Sequence, residues 1–359
     1  MNNAAAMANP RLQQDLRSIL QSAVDGRVFP GAVIAVIAGS DQFCVEAGRE
    51  TFDAASPCVQ TGALFDVASL TKVVATTTSV MQMLQAGRVA LNDPAAKYLP
   101  RLDQPRKKDI TLRQLLTHTA GFPGPHEFFR SCATRAALID ALYSVDLIAE
   151  PGTVRLYDDI SFMLLALMVE NLSGLEFDAY CARHIFQPLA MADTLFKPPR
   201  SGRQIIPTEI DPNRGGLLRG LVHDENAYVL GGVAGHAGLF STAADLMRFA
   251  RMMLTASDRA VLSSASIARV RQREWTDGED EYGLGWDRIR RHYMGTLADP
   301  ETIGHTGFTG TSMVISPSRV AAIILLSNRV HPQRSDAAAI HAVRRQVADA
   351  VLRESRKPA

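Results

Sequence analysis

Cysteine is scarce in this chain, and the four cysteines lie far apart. They stand at positions 44, 58, 132 and 181 of 359 residues, and no two of them form a C-x-x-C pair. This spacing excludes a dense disulfide framework and a cysteine-based zinc site. The sequence therefore predicts reduced thiols, as expected of a cytosolic protein.

Long export or membrane segments are also missing. The apolar stretch from Ala32 to Ala38 is far shorter than the roughly 20 residues that a membrane-spanning helix needs. Residues 1–10 contain no basic segment followed by an apolar core, and residues 11–20 have the pattern of an amphipathic helix. We therefore expect a cytoplasmic protein with no membrane partner.

Neither sign of charge is in excess. Lysine and arginine number 38, aspartate and glutamate number 37, and the formal net charge is +1. A chain balanced in this way has no long-range attraction to nucleic acid or to an anionic membrane. With 47% hydrophobic and 21% charged residues, the composition is that of a globular protein. The length suits one large enzyme domain or two lobes that share a cleft.

The predicted elements run from strands to helices and back to strands. A β-branched run from Gly31 to Gly39 predicts a buried strand, and residues 42–47 predict its hairpin partner. A helix over 69–86 and mainly helical signals over 93–199 follow, and then a glycine-rich loop region over 198–238. Beyond it the patterns predict a helix over 243–254, strands over 282–286, 311–315 and 320–326, and a helix over 336–352.

This order of elements predicts an α+β fold. Strands from both ends of the chain can join in one antiparallel sheet flanked by helices, which leaves the middle of the chain as an inserted, mainly helical lobe. We expect a discontinuous sheet domain made of residues 1–75 and 240–359. Residues 76–239 are expected to form the inserted lobe, with loops that line the active-site cleft.

The tetrapeptide Ser69-Leu70-Thr71-Lys72 begins the predicted helix over 69–86. Residues three apart lie on the same face of a helix, so the Ser69 hydroxyl and the Lys72 amine point into one cleft. A serine needs a neighbouring base to become a nucleophile, and a lysine serves when desolvation or a nearby cation lowers its pKa. Taken alone, the spacing also fits a helix start with an exposed lysine.

Three short motifs in chain order together resemble those of one enzyme superfamily. They are Ser69-x-x-Lys72, Tyr157-Asp158-Asp159 and His305-Thr306-Gly307. This set is similar to the motifs of the serine β-lactamases and penicillin-binding proteins, on the class C branch, and of the related family VIII carboxylesterases. The resemblance covers nearly the whole chain. It implies a β-lactamase/transpeptidase-like fold, with an antiparallel sheet, flanking helices and an inserted helical lobe.

The resemblance also implies a role for each matching residue. Ser69 would attack a carbonyl carbon, and Lys72 and Tyr157 would act as general base and acid. A tyrosine hydroxyl is protonated at neutral pH, so Tyr157 becomes a base only where a cation such as Lys72 stabilises its anion. The backbone N–H groups of Ser69 and Phe308 would form the oxyanion hole. The residues implied in substrate binding are Asp159, His305, Thr306 and Gly307.

Two residues depart from the superfamily pattern. Asp159 stands where Asn is common, and an ionised carboxylate cannot donate a hydrogen bond to a substrate amide. His305 stands where β-lactamases have a Lys that helps to bind a substrate carboxylate, and a neutral histidine lacks that fixed charge. Both changes weaken the case for β-lactam or D-Ala-D-Ala substrates, and both recur among the esterase-like relatives that this chain resembles.

A second group of polar residues lies in the glycine-rich region. His223, Asp224 and His236 invite comparison with a metal site, but they lack the H-x-x-x-H spacing of helical metal ligands. A Ser-His-Asp triad is disfavoured because the chain has no G-x-S-x-G elbow. We expect these residues to be structural or to form a rim at the active-site mouth, and we expect no metal and no cofactor.

The sequence thus predicts a serine hydrolase that cleaves short-chain carboxylic esters through an acyl-enzyme on Ser69. Its partner is a small-molecule ester, and neither the acyl-chain preference nor the oligomeric state follows from the sequence. The alternatives within the fold are a D-Ala-D-Ala carboxypeptidase or weak β-lactamase, and an enzyme that hydrolyses D-amino-acid amides or transfers acyl groups. A catalytically silent protein that binds peptidoglycan fragments or a protein partner is a further alternative, against which the intact Ser69, Lys72 and Tyr157 argue.

Overall fold

The computed structural model describes residues 9–199, 202–255 and 261–355, which fold into sheets and helices that alternate along the chain. The strands are β1 (Gly31–Ala38), β2 (Asp41–Gly48), β3 (Phe65–Asp66), β4 (Leu195–Phe196), β5 (Ile210–Asp211), β6 (Gly216–Leu217), β7 (Leu239–Ser241), β8 (Trp275–Asp277), β9 (Asp280–Tyr282), β10 (Asp287–Arg288), β11 (Ile303–Thr306), β12 (Ser312–Ser316) and β13 (Ala321–Ser327). The α-helices are α1 (Pro10–Asp25), α2 (Thr78–Gln85), α3 (Leu112–Leu116), α4 (Arg135–Ser144), α5 (Ile160–Ser173), α6 (Phe177–Cys181), α7 (Glu225–Val229), α8 (Ala243–Thr255), α9 (Ser264–Val270), α10 (Arg291–Met294) and α11 (Ala338–Ser355).

The main sheet joins strands from the two ends of the chain. Its strand order is β2-β1-β13-β12-β11-β10-β9-β8, and every neighbouring pair is antiparallel. The junction is the pairing of β1 with β13, in which Ala32 lies opposite Ser327. This arrangement confirms the predicted α+β fold with one antiparallel sheet. The division of the chain into a sheet domain and an inserted lobe stays a prediction.

Strand β1 is apolar throughout because both of its faces are covered. Successive side chains of a strand point to opposite faces, so a strand buried on both sides shows no polar alternation. Val33, Ala35 and Ile37 belong to the core that also contains the buried residues of α2, α5 and α8. Residues 32, 34 and 36 belong to the core that contains those of α1 and α11. The sheet therefore separates two hydrophobic cores.

The helix that carries Lys72 confirms the helix predicted over 69–86, with one local difference. Residues Lys72–Thr77 form a π-helical segment, which continues directly into α2. Beyond the end of α2, Gly87 has a φ of 67°, which glycine adopts readily. π-helical segments are rare and are frequently found at functional sites.

One prediction about the second half of the chain was inaccurate, and a second lacked detail. The strand predicted over 282–286 is instead the end of β9, a turn, and the start of β10 at Asp287. The turn is closed by the hydrogen bond from the N–H of Gly283 to the carbonyl of Trp286 at 2.8 Å. Gly285 adopts a φ of 74° in this turn, which glycine allows. The aromatic residue next to it, Trp286, is typical of strands and led to the wrong prediction. The predicted loop region over 198–238 contains the short helix α7 and the strand pair β5 and β6.

Helix α5 and the helical segment that follows it are rich in apolar residues. No single helix in the described part of the chain is long and apolar enough to cross a membrane. The pair Ile160–Ser173 and Phe177–Phe186 meets that requirement of length and composition together, with a bend of 76° between its two members.

Candidate active site

Ser69 follows a strained turn between β3 and the helix that carries Lys72. Ala68 has a φ of 47°, a conformation that non-glycine residues rarely adopt. The buried carboxylate of Asp66 holds the turn, because it accepts the N–H of Ala68 at 2.8 Å and the N–H of His223 at 2.7 Å. Strain of this kind persists only where the surroundings enforce it, and it is concentrated at functional sites.

Lys72 is completely buried and forms an ion pair. Its Nζ donates to Oγ of Ser69 at 3.1 Å, to Oδ1 of Asp159 at 2.6 Å and to the backbone oxygen of His236 at 3.4 Å. Burial lowers the pKa of Lys72, but the charges and hydrogen bonds of Asp159 and Tyr157 raise that pKa above its ordinary value. Lys72 is therefore an ammonium ion at neutral pH.

Tyr157 completes the group of residues that the sequence predicted to act together. Nζ of Lys72 lies 4.8 Å from the centroid of the Tyr157 ring, and Tyr157 is 38% exposed. Burial raises the pKa of Tyr157 above its ordinary value, although the charge of Lys72 and hydrogen bonds with Lys72 and Ser69 act to lower it. The structure thus brings Ser69, Lys72 and Tyr157 together, and their individual roles stay predictions.

Two buried groups, the imidazole of His118 and the carboxyl group of Asp158, lie next to the tyrosine. Asp158 belongs to the second motif, whereas the sequence analysis did not identify His118. The ring centroid of His118 lies 4.6 Å from that of Tyr157. Nδ1 of His118 accepts the N–H of Asp158 at 3.2 Å and lies 3.1 Å from Oδ2 of the same residue. Burial raises the pKa of Asp158 to about 7. His118 lies two residues beyond the end of α3 at Leu116 and belongs to none of the three motifs, so no sequence pattern indicated it.

The third motif lies on β11 and brings no cation to the site. His305 is 4% exposed, and its Nδ1 donates to the backbone oxygen of Thr306 at 2.9 Å. Burial lowers the pKa of His305 to about 4, so the imidazole is neutral at pH 7. Its ring centroid lies 6.2 Å from that of Tyr157. The expected loss of the fixed positive charge at this position agrees with this geometry.

The loop after the third motif is tied to the turn before Ser69. The hydroxyl of Thr309 donates to the backbone oxygen of Asp66 at 2.8 Å, and that of Thr311 donates to the backbone oxygen of Val67 at 2.9 Å. A Cβ at position 307 would lie 2.0 Å from Oγ1 of Thr311 and 2.5 Å from that same Val67 oxygen, so only Gly307 fits. These contacts place Phe308 next to the Ser69 turn, where its N–H is predicted to serve the oxyanion hole.

A buried arginine from the last helix supports the same loop. Nη2 of Arg344 on α11 donates to the backbone oxygen of Thr311 at 2.6 Å and to that of Gly307 at 3.3 Å. Burial lowers the pKa of Arg344 to about 9. No sequence pattern indicated a role for this residue, because an isolated arginine on an amphipathic helix normally faces solvent.

The group of His223, Asp224 and His236 is split by the fold. His223 pairs with Glu209, with Nε2 2.9 Å from the carboxylate. Nε2 of His236 lies 2.8 Å from Oδ1 of Asp224, which also caps α7. Ligand-type atoms of Asp159, Asp224 and His236 lie within 4.8 Å of one another, and the cation that the structure places against this group is the Lys72 ammonium ion.

A serine beside a buried lysine and a tyrosine, in this fold, defines a serine hydrolase. The chain belongs to the beta-lactamase family, whose model, described as Beta-lactamase, matches residues 16–348. A relative from Escherichia coli (strain K12) is 34% identical over 314 residues, which cover 77% of this chain and 71% of the relative. A relative from Salmonella schwarzengrund (strain CVM19633) is 31% identical over 307 residues, with coverage of 76% and 70%. Both carry the provisional name of D-alanyl-D-alanine carboxypeptidase.

Solved structures share the fold at lower sequence identity. The octameric penicillin-binding protein homologue from Pyrococcus abyssi is 21% identical, with a TM-score of 0.74 over 92% of this chain and 76% of that chain. EstCE1, described as a hydrolase with promiscuous acyltransferase activity, is 20% identical, with a TM-score of 0.76 over 95% of this chain and 98% of that chain. These similarities confirm the β-lactamase/transpeptidase-like fold.

Proposed function

We propose that this protein hydrolyses short-chain carboxylic esters through an acyl-enzyme on Ser69. The observation that carries the proposal is the state of His305, which is buried and neutral where β-lactamases have a lysine. A substrate that ends in a carboxylate needs a cation to replace its lost hydration, because an unpaired buried charge is costly. An ester without a charged group has no such need.

Two other charged groups near the third motif, Asp159 and Arg344, are already engaged. Asp159 is paired with Lys72, and an ionised carboxylate repels a substrate carboxylate. Arg344 directs Nη2 to two backbone oxygens of the loop. The site exposes aromatic side chains rather than a free cation here: Phe308 is 47% exposed and Tyr157 is 38% exposed. Such surface suits an apolar acyl or alcohol group.

The proposal assigns a residue to each group that acyl transfer requires. Ser69 would attack the ester carbonyl, and Lys72 and Tyr157 would take up its proton and deliver it to the leaving alcohol. The N–H groups of Ser69 and Phe308 would stabilise the tetrahedral oxyanion. Water then releases the acid from the acyl-enzyme.

A second candidate function is D-Ala-D-Ala carboxypeptidase activity. It is favoured by the provisional names of the relatives that are 34% and 31% identical to this chain. It requires recognition of a terminal carboxylate, which the neutral His305 does not provide. Weak β-lactam hydrolysis belongs to the same candidate, because it uses the same recognition.

Three substrates assayed on one preparation separate these functions. They are a chromogenic short-chain ester series, an N-acylated D-Ala-D-Ala peptide and a chromogenic cephalosporin. We expect kcat/KM for the best ester to exceed that for the other two by about tenfold or more, since unpaired charge in a site discriminates strongly. A clear preference for the peptide or the cephalosporin would replace the ester proposal by the second candidate. Ser69→Ala is the control and should abolish turnover of every substrate.

A further inference from the structure

His223 contacts both segments of the chain that are predicted to form the oxyanion hole. Its backbone N–H donates to Oδ2 of Asp66 at 2.7 Å, and the same carboxylate accepts the N–H of Ala68, the residue before Ser69. The imidazole of His223 stacks on the ring of Phe308, with centroids 5.7 Å apart and an angle of 26° between the ring planes. His223 is 3% exposed, so packing on every side keeps these contacts in place.

A carboxylate holds the imidazole in this orientation. Nε2 of His223 lies 2.9 Å from Oε2 of Glu209, which also accepts a hydrogen bond from Nε of Arg334 at 3.0 Å. Burial raises the pKa of Glu209, but hydrogen bonds with His223 and Arg334 lower it to about 2. Glu209 is therefore a carboxylate at neutral pH, and the N–H at Nε2 of His223 donates to it. Rotation of the imidazole would break this hydrogen bond.

The ring of Phe308 is held on the side that faces the protein. Besides His223, it meets the guanidinium groups of Arg329 and Arg334, whose Cζ atoms lie 4.9 and 5.6 Å from the ring centroid. Contacts of this kind between a cation and an aromatic ring are attractive. The rotamers open to a side chain depend on the backbone torsions of the same residue, so a fixed ring restricts the direction of the Phe308 N–H.

We propose that His223 is a positioning residue that aligns the backbone N–H of Phe308 with that of Ser69 in the oxyanion hole. The inference rests on the proposed acyl transfer at Ser69 and on the predicted use of these two donors. An oxyanion hole is effective because its donors are oriented before the charge develops. The backbone of His223 is bonded to the turn before Ser69 and its ring packs on Phe308, so this residue sets the spacing between the two segments.

This contact differs from the hydrogen bonds of Thr309 and Thr311, which tie the loop to the turn before Ser69. His223 instead contacts the side chain of the residue whose N–H is predicted to be used. Loss of the stack is therefore expected to change the direction of one N–H without releasing the loop. A measurement that reports on the oxyanion hole alone can detect this change.

The test uses two phosphonate probes that differ in the atom that the oxyanion hole binds. One is a p-nitrophenyl alkylphosphonate, and the other is its phosphonothionate, in which sulfur replaces the P=O oxygen. Oγ of Ser69 bonds to phosphorus, the bond to the p-nitrophenolate oxygen breaks with its electron pair, and the serine proton passes to Lys72 or Tyr157. Sulfur is a weak hydrogen-bond acceptor, so aligned N–H donors accelerate the reaction of the oxygen probe far more. The oxygen-to-sulfur ratio of labelling rates therefore reports on the oxyanion hole.

Substitutions of His223 separate the ring stack from the hydrogen bond to Glu209. His223→Gln keeps a donor for Glu209 but removes the ring, and we expect the oxygen-to-sulfur ratio to fall about tenfold or more. His223→Phe keeps a ring against Phe308 and should retain the ratio to within about threefold. His184→Ala is the matched control, because His184 also packs on an aromatic ring, that of Tyr180 at 4.6 Å, but lies in the helical segment after α6. It should leave the ratio unchanged.

A double-mutant cycle tests whether His223 acts through the Phe308 ring. Phe308→Ala keeps the backbone N–H but removes the stack, and we expect it to lower the ratio about tenfold. In this background His223→Gln should cause a further loss of about twofold or less, because the contact is already absent. Losses that multiply in the double variant, or a ratio unchanged by His223→Gln, would overturn the inference.

The outcome does not depend on the folding of one variant or on the identity of the substrate. Circular dichroism checks that each variant is folded. If His223→Gln does not fold, Phe308→Ala against Phe308→Tyr, which keeps the ring, gives the test, and equal ratios in these two variants would contradict the proposal. Expected labelling ratios in a protein that does not hydrolyse esters would contradict the proposed function and support the role of His223.

Discussion

Lys72 and His305 both lie buried beside Tyr157, yet one is charged and the other is neutral. The difference comes from their partners, because Lys72 has the Asp159 carboxylate at 2.6 Å whereas Nδ1 of His305 bonds to a backbone oxygen. A carboxylate offsets the free-energy cost of removing a cation from water, and a single carbonyl oxygen does not. The charge of each residue in the site is thus set by one neighbouring group.

The neutral state of His305 predicts a dependence of stability on pH. The pKa of His305 is lowered from 6.5 to about 4 in the folded protein. Between these values the unfolded chain binds a proton that the folded protein does not, so the stability from this residue is lost as the pH falls. As the pH falls through this range, the free energy of unfolding should decrease less steeply in His305→Gln than in the wild type. We expect the two slopes to differ by up to about 1.4 kcal/mol per pH unit.

Urea unfolding of both proteins from above pH 7 to about pH 4.5 measures this difference. The difference above pH 7 gives the cost of the substitution itself and serves as the internal control. Parallel curves for the two proteins at all pH values would show that His305 does not carry this linkage.

At the scale of elements, the predicted oxyanion-hole loop depends on two distant parts of the chain. The turn after β3 receives hydrogen bonds from Thr309 and Thr311, and α11 supplies Arg344 to the backbone oxygens of Gly307 and Thr311. An oxyanion hole works only when its donors are held in place before the reaction. The last helix therefore contributes to the site although none of its residues belongs to a motif.

Arg344→Met tests this contribution of α11. The variant keeps the apolar packing of the stem but removes the side-chain donor from the backbone oxygens of Thr311 and Gly307. Each oxygen then keeps one backbone donor, the N–H of Gly307 at 2.7 Å and the N–H of Gly310 at 3.1 Å respectively. We expect kcat for an ester to fall about tenfold to a hundredfold with a smaller change in KM, because the oxyanion donors lose their fixed position. The next residue, Arg345, is exposed, and Arg345→Met is the matched control with expected activity near that of the wild type. Equal activity of the two variants would argue against a role for Arg344 in positioning.

At the scale of the whole molecule, one sheet separates two hydrophobic cores. Ile34 of β1 lies in the core with α1 and α11, and Trp286 lies in the opposite core, stacked on Phe249 with centroids 6.4 Å apart. Both cores share the central strands β1 and β13. We therefore expect the two cores to unfold in one cooperative transition.

Ile34→Ala tests this coupling because the substitution and the probe lie on opposite sides of the sheet. The variant should lower the free energy of unfolding by about 2–5 kcal/mol, since Ile34 is fully buried. If the cores are coupled, the tryptophan fluorescence transition, to which Trp286 contributes, shifts together with the circular dichroism transition. Ile148→Ala, at a position that is 64% exposed, is the control and should change stability little. Two separate transitions in Ile34→Ala would mean that the cores unfold independently.

The features that the sequence predicted well depend on neighbours along the chain. The apolar run of β1 and the helix after Ser69 follow from local sequence pattern. The three motifs could be recognised because each is a short run with its own spacing. The strand predicted over 282–286 failed because the glycine turn between β9 and β10 breaks the pattern.

Sequence alone determined the fold class, the family resemblance and the convergence of Ser69, Lys72 and Tyr157. The tertiary structure decided the charge states and the supporting contacts, because these depend on partners that are distant in the chain. Lys72 and Asp159 are separated by 87 residues, and Lys72 and His236 by 164. No local pattern reports burial or a counter-charge at such separations, and these two quantities set the pKa of a side chain. In the sequence Asp159 is a departure from a motif, and in the structure it is the ion-pair partner of the buried Lys72.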